Sequence, residues 1–300
     1  MPHSHDHASH DHGASELDTG GDDLLDLDGQ VLHAYWDAAL DLVVAAAFAD
    51  GSGVDGTARV VDLGAGTGTG ALGLAQRLPA AQVMAVDISE PSLARVEAKA
   101  RHAGLGDRVR TLVADLDVGW PDLGPVDLTW ASMSLHHLTD PIRALTELRT
   151  LTRVGGLVAV AEFDEPLRFL PDAVGVGAPG FESRVLEVVA AAHAEALPAL
   201  GAPWSTVLTD AGWTVTGQHD LVIDEKSPGH PLAGAYARGW FDRLSHGLAD
   251  RLDEEDRVTL AALLDDDGQD ALLHRTDLHL RGLRTVTLAR ADQPRPSRAR

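Results

Sequence analysis

Residues 60–70 constrain the fold of this chain more than any other stretch. They read Val-Val-Asp-Leu-Gly-Ala-Gly-Thr-Gly-Thr-Gly, so a short apolar run ends in an acid and glycines then alternate with small residues. Such a run predicts a buried strand followed by a turn in which the backbone can approach a ligand. A helix predicted at 70–78 directs its N-terminal amides at that turn, which favours a nucleotide-like ligand.

Strands and helices alternate through the residues around this turn. The apolar runs predict strands at 59–63, 82–87, 108–114, 126–131 and 157–163. Helical segments separate them, with Ser89 and Asp140 as predicted N-caps. This alternation is typical of a parallel, doubly wound sheet with right-handed crossovers.

The pattern changes after residue 163. Strands are predicted at 213–223 and 284–290, and no long helix directly precedes the last of them. A strand reached without a helical crossover can run antiparallel to its neighbour. The chain is therefore predicted to be an α/β protein with a Rossmann-like, doubly wound seven-stranded sheet, an antiparallel last strand and a helical cap.

The domain boundaries follow from composition. Residues 1–28 are polar, with histidines at 3, 5, 7, 10 and 12, and predict a disordered tail. The His-x-His-x-His spacing leaves loose binding of a divalent metal open, and no metal site is predicted elsewhere. One domain is predicted at 29–292, with cap elements at 29–50, 165–204 and 225–280, and a loose tail at 293–300.

The charge of the chain limits its partners. Its formal net charge is -22, and such a field repels nucleic acid and anionic membranes. The absence of cysteine excludes disulfides and thiol catalysis. No apolar stretch long enough to span a membrane and no secretory pattern is present, which predicts a soluble cytoplasmic protein of undetermined oligomeric state.

Three acids follow the first three predicted strands. Asp62 ends strand one, Asp87 ends strand two, and Asp115 comes just past strand three. Ligands of doubly wound sheets bind beyond the carboxyl ends of the strands, and an acid about 20 residues after the glycine turn suits ribose hydroxyls. A single Asp at a strand end often serves only the turn. Three acids in register with the glycine turn indicate a ligand site.

With these motifs the chain resembles the class I S-adenosylmethionine-dependent methyltransferases of the small-molecule type. The resemblance spans roughly residues 30–165. The matching motifs are Asp62-x-Gly64-x-Gly66-x-Gly68, Val86-Asp87-Ile88, Ala114-Asp115-Leu116, Ser132-x-x-x-His136-His137-Leu138 and Val154-Gly155-Gly156. Thr152-Arg153 departs from the Lys-Pro that many relatives carry in front of Val154, which affects a surface turn more than the chemistry.

The resemblance implies S-adenosylmethionine as the cofactor and assigns residues to its parts. Asp62 and the turn at Gly64, Ala65, Gly66 and Gly68 accommodate the methionine portion. Asp87 holds the ribose hydroxyls, with Ile88 against the adenine. Asp115 accepts from the adenine amino group, and the Leu116 amide donates to a ring nitrogen. Ala131 and Ser132 line the methyl donor.

A dinucleotide site is the alternative interpretation of the glycine turn. Gly66-x-Gly68-x-x-Ala71 fits the relaxed G-x-G-x-x-G/A fingerprint, although a lone match of this kind is weak. Asp62, two residues before the first glycine, repels a pyrophosphate but suits an ammonium group. Asp115 matches the adenine amino group. These two acids favour methyl transfer over hydride transfer.

Methyl transfer from a sulfonium is an in-line displacement that depends on positioning, and a hydroxyl acceptor also needs a base. Residues 135–140 are similar to the Leu-His-x-Trp-x-Asp signature of small-molecule O-methyltransferases, which selects His136 as the base, although Leu138 replaces Trp. A structural histidine is the competing interpretation. The side chains predicted to line the acceptor are Tyr35, Trp36, His137 and Glu162.

The sequence thus predicts an enzyme that methylates a small molecule, with a hydroxyl as one candidate acceptor. Two alternatives stay open. One is a protein or peptide methyltransferase, and the other is a non-catalytic cofactor-binding domain with a metal-binding tail. The acceptor is expected to be selected by the cap, because long connections in a compact domain usually build lids or binding surfaces.

Overall fold

The computed structural model of the chain describes residues 18–49, 58–197, 199–226 and 230–292. The histidines of the predicted metal-binding tail and the predicted loose segment 293–300 lie outside these residues. Across the described ranges, no helix combines the length and the apolar character that crossing a membrane requires.

The strands form one seven-stranded sheet in the order β3-β2-β1-β4-β5-β7-β6. Strands β1 to β5 pair in parallel, and β7 lies antiparallel between β5 and β6. Their bounds are β1 Arg59–Leu63, β2 Gln82–Asp87, β3 Val109–Val113, β4 Val126–Ser132, β5 Thr152–Arg168, β6 Thr214–Lys226 and β7 His279–Arg290. The predicted Rossmann-like fold with an antiparallel last strand is confirmed.

Helices cover both faces of the sheet. Helices α5 and α7 pack on one face, and the remaining helices share the hydrophobic cluster on the other side, where the cap helices α6, α8 and α9 pack on one another. The bounds are α1 Asp18–Val31, α2 His33–Ala47, α3 Thr69–Arg77, α4 Glu90–His102, α5 Pro141–Leu151, α6 Phe181–Ala196, α7 Trp204–Asp210, α8 Ala233–Leu248 and α9 Glu254–Leu264. Short 3₁₀ turns occupy Leu135–His137, Ala249–Arg251 and Leu272–His274.

The last three strands are longer than predicted. Strand β5 continues to Arg168, where it pairs with Arg281 of β7, and β6 continues to Lys226 opposite His279. Much of β6 is exposed or only partly buried. The hydrophobic pattern of the sequence therefore gives little indication that β6 extends this far. Antiparallel hydrogen bonds to β7 hold the added residues in the strand.

Helix α1 corrects the predicted tail, because residues 18–28 are helical. Its acids pair with two cations on α4: Arg95 lies 3.2 Å from Asp22 and 2.6 Å from Asp23, and Lys99 contacts Asp26. Two glycines and five acids gave this segment little helical signal of its own. Tertiary ion pairs with a helix about seventy residues away supply the missing stabilisation.

Asp28, near the end of α1, connects the cap to the sheet. Its carboxylate accepts hydrogen bonds from Arg284 of β7 at 2.7 Å, from the Tyr236 hydroxyl of α8 at 2.6 Å and from Trp36 Nε1 of α2 at 2.9 Å. Burial on its own raises the pKa of Asp28, but the Arg284 guanidinium and the hydrogen bonds from Tyr236 and Trp36 together more than offset this and hold the pKa below its usual value. Four elements therefore meet at one buried ion pair.

We expect Asp28→Ala to lower the free energy of unfolding by about 3–5 kcal/mol, because it leaves the Arg284 charge buried without a partner. Urea denaturation measures the loss. The matched control is Asp37→Ala, which breaks an exposed pair with Arg77 and is expected to change the free energy of unfolding by at most ~1 kcal/mol. Equal losses in the two variants would contradict the role given to Asp28.

Candidate active site

The glycine turn runs from the end of β1 to the start of α3 with its backbone in the left-handed region. The φ angles of Gly64, Gly66 and Gly68 are +63°, +49° and +89°. A Cβ on Gly64 would lie 2.2 Å from the Cβ of Ser134, and one on Gly68 would lie 2.8 Å from the Val96 side chain. Only glycine fits these positions, so the turn presents bare backbone to a ligand.

Asp62 lies beneath the first turn of α3 and is 3% exposed. Its Oδ2 has no hydrogen-bond partner among the described residues. Burial raises the pKa of Asp62 from its ordinary 3.8 to about 8; the Ala71 amide opposes this rise, and the charge of Asp87 adds to it. An orphaned, buried carboxylate oxygen fits a cationic group such as an ammonium.

The position next to Asp62 at the start of α3 also requires a glycine, Gly70, and the sequence alone did not indicate this. A Cβ at this position would lie 2.7 Å from both Asp62 Oδ2 and Trp130 Nε1. The indole nitrogen of Trp130 is also buried without a hydrogen-bond partner in the part of the chain that the structure describes. The fourth glycine of the predicted strand-turn segment therefore makes room for the buried acid.

Asp87 is held against the glycine turn at the end of β2. Its Oδ2 accepts the Gly66 N–H at 2.8 Å, and its Oδ1 accepts the Ser89 N–H at 2.9 Å. These bonds fix the carboxylate in place, and each oxygen keeps a further lone pair. Next to it, Ile88 is 67% exposed and Val113 is also exposed. A fixed acid beside an open apolar surface fits a ribose carrying an adenine.

The third strand brings Asp115 and Leu116 to the same edge of the sheet. Asp115 is exposed and accepts the Asp117 N–H at 2.9 Å, whereas the Leu116 side chain is buried. The Arg143 guanidinium donates to the Leu116 carbonyl at 3.0 Å and so fixes this turn. The parallel register of β1, β2 and β3 thus places the three predicted acids along one edge of the sheet.

His136 and Glu162 form a buried pair just beyond the carboxyl end of β4, where His136 lies in the 3₁₀ turn 135–137 and Glu162 lies within β5. His136 Nδ1 lies 2.6 Å from Glu162 Oε2. If the carboxylate accepts a hydrogen bond from Nδ1, the proton is placed on that nitrogen and Nε2 keeps its lone pair. The other carboxylate oxygen, Oε1, is buried without a partner within the described ranges. Both residues were predicted site residues, but their pairing was not.

His137 lies beside this pair, with its ring centroid 4.3 Å from that of His136. Part of His137 is exposed, yet desolvation of the rest lowers its pKa to about 4, and the positive charge of Arg243 adds to the effect. Desolvation also lowers the pKa of His193 on α6. Sequence reasoning missed His193 and Arg243, because α6 and α8 reach the site only through the tertiary fold.

The structure separates the two aromatic residues predicted on α2. Tyr35 is 4% exposed, and its hydroxyl has no hydrogen-bond partner among the described residues. Burial raises the pKa of Tyr35. The charge of Arg284 opposes this rise, and the charge of Asp28 adds to it. Trp36 instead binds Asp28 and packs with its ring centroid 6.3 Å from that of Trp130. Tyr35 therefore faces the strand ends, whereas Trp36 contributes to the hydrogen bonds and packing around Asp28.

Two further predicted residues lie at the end of β4. Ala131 is fully buried and pairs with Leu63 at the end of β1. Ser132 follows it and pairs with Ala161 of β5. The Ser132 Oγ is buried and lacks a hydrogen-bond partner in the described part of the chain. An orphaned hydroxyl between the glycine turn and the His136–Glu162 pair fits a ligand that passes between them.

Helix α1 also covers the glycine turn, which sequence reasoning did not foresee. A Cβ on Gly66 would lie 2.9 Å from the Leu25 Cδ1 atom, and Lys99 donates to the Thr67 carbonyl at 2.9 Å while it contacts Asp26. Leu25 itself is exposed by 45%, so it rests on the surface of the turn. Residues 18–28, which were predicted as part of a disordered tail, therefore cover the glycine turn.

The central segment of the chain matches a known family. Residues 60–156 match the family described as "Methyltransferase domain". This segment contains the glycine turn, the three acids and the His136–His137 dipeptide. It thus holds the motifs on which the predicted family rests.

Individual relatives match over the same part of the chain. A demethylmenaquinone methyltransferase of Thermus thermophilus is 38% identical over 109 residues, which are 36% of this chain and 48% of the relative. A 27-O-demethylrifamycin SV methyltransferase of Amycolatopsis mediterranei is 32% identical over 106 residues, which are 35% of this chain and 38% of the relative. The chain spans about half the length of the curated relatives it matches first.

A solved structure supports the fold. The crystal structure of a proposed methyltransferase from Bacillus halodurans C-125 aligns with a TM-score of 0.52 and 17% identity. The alignment covers 85% of this chain and 100% of that chain. At this identity the likeness concerns the fold alone.

The raised pKa of Asp62 predicts a pH dependence of stability. The folded state keeps a proton that the unfolded state loses, so this group stabilises the fold at low pH and the contribution is lost as pH rises from about 4 to about 8. Asp62→Asn mimics the protonated form. We expect its melting temperature to rise relative to the parent chain across this window.

Calorimetric melting of both proteins at several pH values measures the effect. Asp107→Asn, which changes an exposed acid in a turn, is the control and should show no such trend. A melting temperature of Asp62→Asn that falls relative to the parent chain with rising pH would contradict the protonated, buried state of Asp62.

Proposed function

We propose that this chain, which carries a class I S-adenosylmethionine-dependent methyltransferase domain, transfers a methyl group to a small-molecule acceptor. The observation that carries the proposal is the Asp87 carboxylate, fixed against the Gly66 amide beside an open apolar surface at Ile88. The match to the methyltransferase-domain family over residues 60–156 supports the same cofactor. Acceptors named for two relatives, demethylmenaquinone and 27-O-demethylrifamycin SV, support a small molecule.

Residues along the carboxyl edge of the sheet would hold S-adenosylmethionine. We assign Asp62 and the glycine turn at 64–68 to the methionine portion, Asp87 to the ribose hydroxyls, and Ile88 to the adenine. Asp115 and the Leu116 amide are assigned to the polar edge of the adenine, and Ala131 and Ser132 to the methyl end. The cofactor supplies an electrophilic methyl group on a sulfonium. The orphaned Asp62 and Ser132 oxygens support these assignments.

We propose that His136 is the base when the acceptor is a hydroxyl. Glu162 orients the imidazole through Nδ1, so that Nε2 is available to take the acceptor proton. The carboxylate also stabilises the imidazolium that forms, because both groups are buried. A histidine that only closes the loop after β4 would not need a buried carboxylate with an unpartnered second oxygen.

The wider setting remains a prediction from composition. A net charge of -22 supports an enzyme without a nucleic-acid or anionic-membrane partner, and a location in the cytoplasm stays a prediction. The domain is proposed to begin with α1, because its acids are bound to α4 and its Asp28 to β7.

Asp87→Ala is expected to weaken the binding of S-adenosylhomocysteine about 10- to 100-fold, because it removes charge-assisted hydrogen bonds to the ribose. Isothermal titration calorimetry of the purified chain measures the affinity. Asp107→Ala changes an exposed acid elsewhere on the surface and is the matched control. Unchanged affinity in Asp87→Ala, or no binding to the parent chain, would overturn the proposal.

His136→Gln and Glu162→Gln are expected to lower kcat about 10²- to 10⁴-fold, because each disables the proposed base. The affinity for S-adenosylhomocysteine should stay within about twofold of the parent value, since neither residue is assigned to the cofactor. His102→Gln, at the end of α4, is the control. Full activity of both variants would remove the base from the proposal.

A further inference from the structure

Arg143, in the first turn of α5, binds the turn to which the adenine is assigned. Its Nη2 donates to the Leu116 carbonyl oxygen at 3.0 Å and to the Asp117 carbonyl oxygen at 2.9 Å. These carbonyls lie 27 and 26 residues earlier in the chain. A side chain that only stabilised its own helix would not need these contacts.

The guanidinium is oriented by its own helix. Its Nη1 donates to Glu147 Oε1 at 3.0 Å, one helical turn further along α5. The Arg143 amide donates to Asp140 Oδ1 at 2.9 Å, which fixes the start of the helix. The planar guanidinium can therefore direct one nitrogen at a carboxylate and another at the two carbonyls.

The peptide group between Leu116 and Asp117 is bound at both of its ends. Its carbonyl accepts from Arg143, and its N–H donates to Asp115 Oδ1 at 2.9 Å. A cation at the carbonyl polarises the peptide group, which strengthens the bond from its N–H to the carboxylate. Two successive hydrogen bonds thus connect Arg143 to Asp115, and the carboxylate keeps lone pairs for a ligand.

Two further contacts hold the same turn. The Ala114 N–H donates to the Asp87 carbonyl oxygen at 3.0 Å, which joins the turn to the proposed ribose acid. The Asp117 carboxylate accepts the Thr139 N–H at 3.0 Å and the Thr139 hydroxyl at 3.1 Å. Because Asp115 is exposed, its side chain is held by hydrogen bonds and not by burial.

We propose that Arg143 is a positioning residue that makes the cofactor site selective for adenine among the purine bases. It fixes the Asp115 carboxylate through the peptide group, so that the carboxylate accepts a hydrogen bond from the 6-amino group of adenine. This inference rests on the proposed function and names the residue that sets the base selectivity of that site.

The selectivity depends on a carboxylate that cannot turn away. An exposed aspartate without fixed partners changes rotamer easily, so it can turn toward solvent when a base offers no donor. A fixed carboxylate instead meets the oxygen that hypoxanthine carries at the same position. Two acceptors then face each other, and the lost hydrogen bond lowers the affinity.

The test measures the affinity of two probes by isothermal titration calorimetry. S-adenosylhomocysteine carries the 6-amino group, and S-inosylhomocysteine carries an oxygen in its place. We expect the parent chain to bind S-adenosylhomocysteine about 100-fold more tightly, which corresponds to one hydrogen bond to a charged group. Arg143→Gln should lower this ratio to about 10, mainly through weaker binding of S-adenosylhomocysteine.

Three further variants control for other effects. Arg101→Gln breaks an exposed pair with Glu97 on α4 and should leave the ratio unchanged. Asp115→Asn should bring the ratio close to 1, and Arg143→Gln should not change it further in that background, because Arg143 acts through Asp115. Glu147→Ala releases the guanidinium and should lower the ratio about two- to threefold, which keeps the claim testable if Arg143→Gln does not fold.

The outcomes separate this inference from the proposed function. If S-adenosylhomocysteine does not bind the parent chain, both fail. If it binds with the expected ratio, and Arg143→Gln leaves that ratio unchanged, this inference alone is overturned. A parent ratio near 1 would overturn it as well, and so would an equal effect of Arg143→Gln in the Asp115→Asn background.

Discussion

The buried ion pair between Asp28 and Arg284 is the interaction on which the arrangement of this molecule depends. It joins the end of α1 to β7, and Tyr236 and Trp36 complete its hydrogen bonds. Buried ion pairs are expensive unless their geometry and their other hydrogen bonds are satisfied. In this molecule Asp28 is paired with Arg284 and also accepts hydrogen bonds from Tyr236 and Trp36. The pair therefore fixes the position of the cap over the sheet.

Two consequences of this anchor reach the site. Because α1 ends at the ion pair and is bound to α4 through Arg95 and Lys99, its Leu25 lies on the glycine turn at Gly66. Because Arg284 is held by Asp28, its guanidinium stays between the rings of Tyr35 and Phe163. The same pair therefore positions the helix that covers the proposed cofactor site and the guanidinium that packs against Tyr35 and Phe163.

The sheet and its acids could be predicted from the sequence because they depend on local patterns. Apolar runs end at Asp62 and Asp87, and parallel pairing brings these ends to one edge. Helix α1 could not be predicted, since the partners of its acids lie about seventy residues away. The pairing of His136 with Glu162 joins residues 26 positions apart, and only the register of β4 with β5 brings them together.

The proposed cofactor site is tested most directly by a crystal structure of the chain with S-adenosylhomocysteine. We expect the Asp87 carboxylate within hydrogen-bond distance of both ribose hydroxyls, the adenine against Ile88, and the sulfur directed toward Ser132 and His136. We also expect α1 to cover the methionine portion. A ligand bound elsewhere, or an Asp87 carboxylate that contacts only the Gly66 and Ser89 amides, would contradict the account.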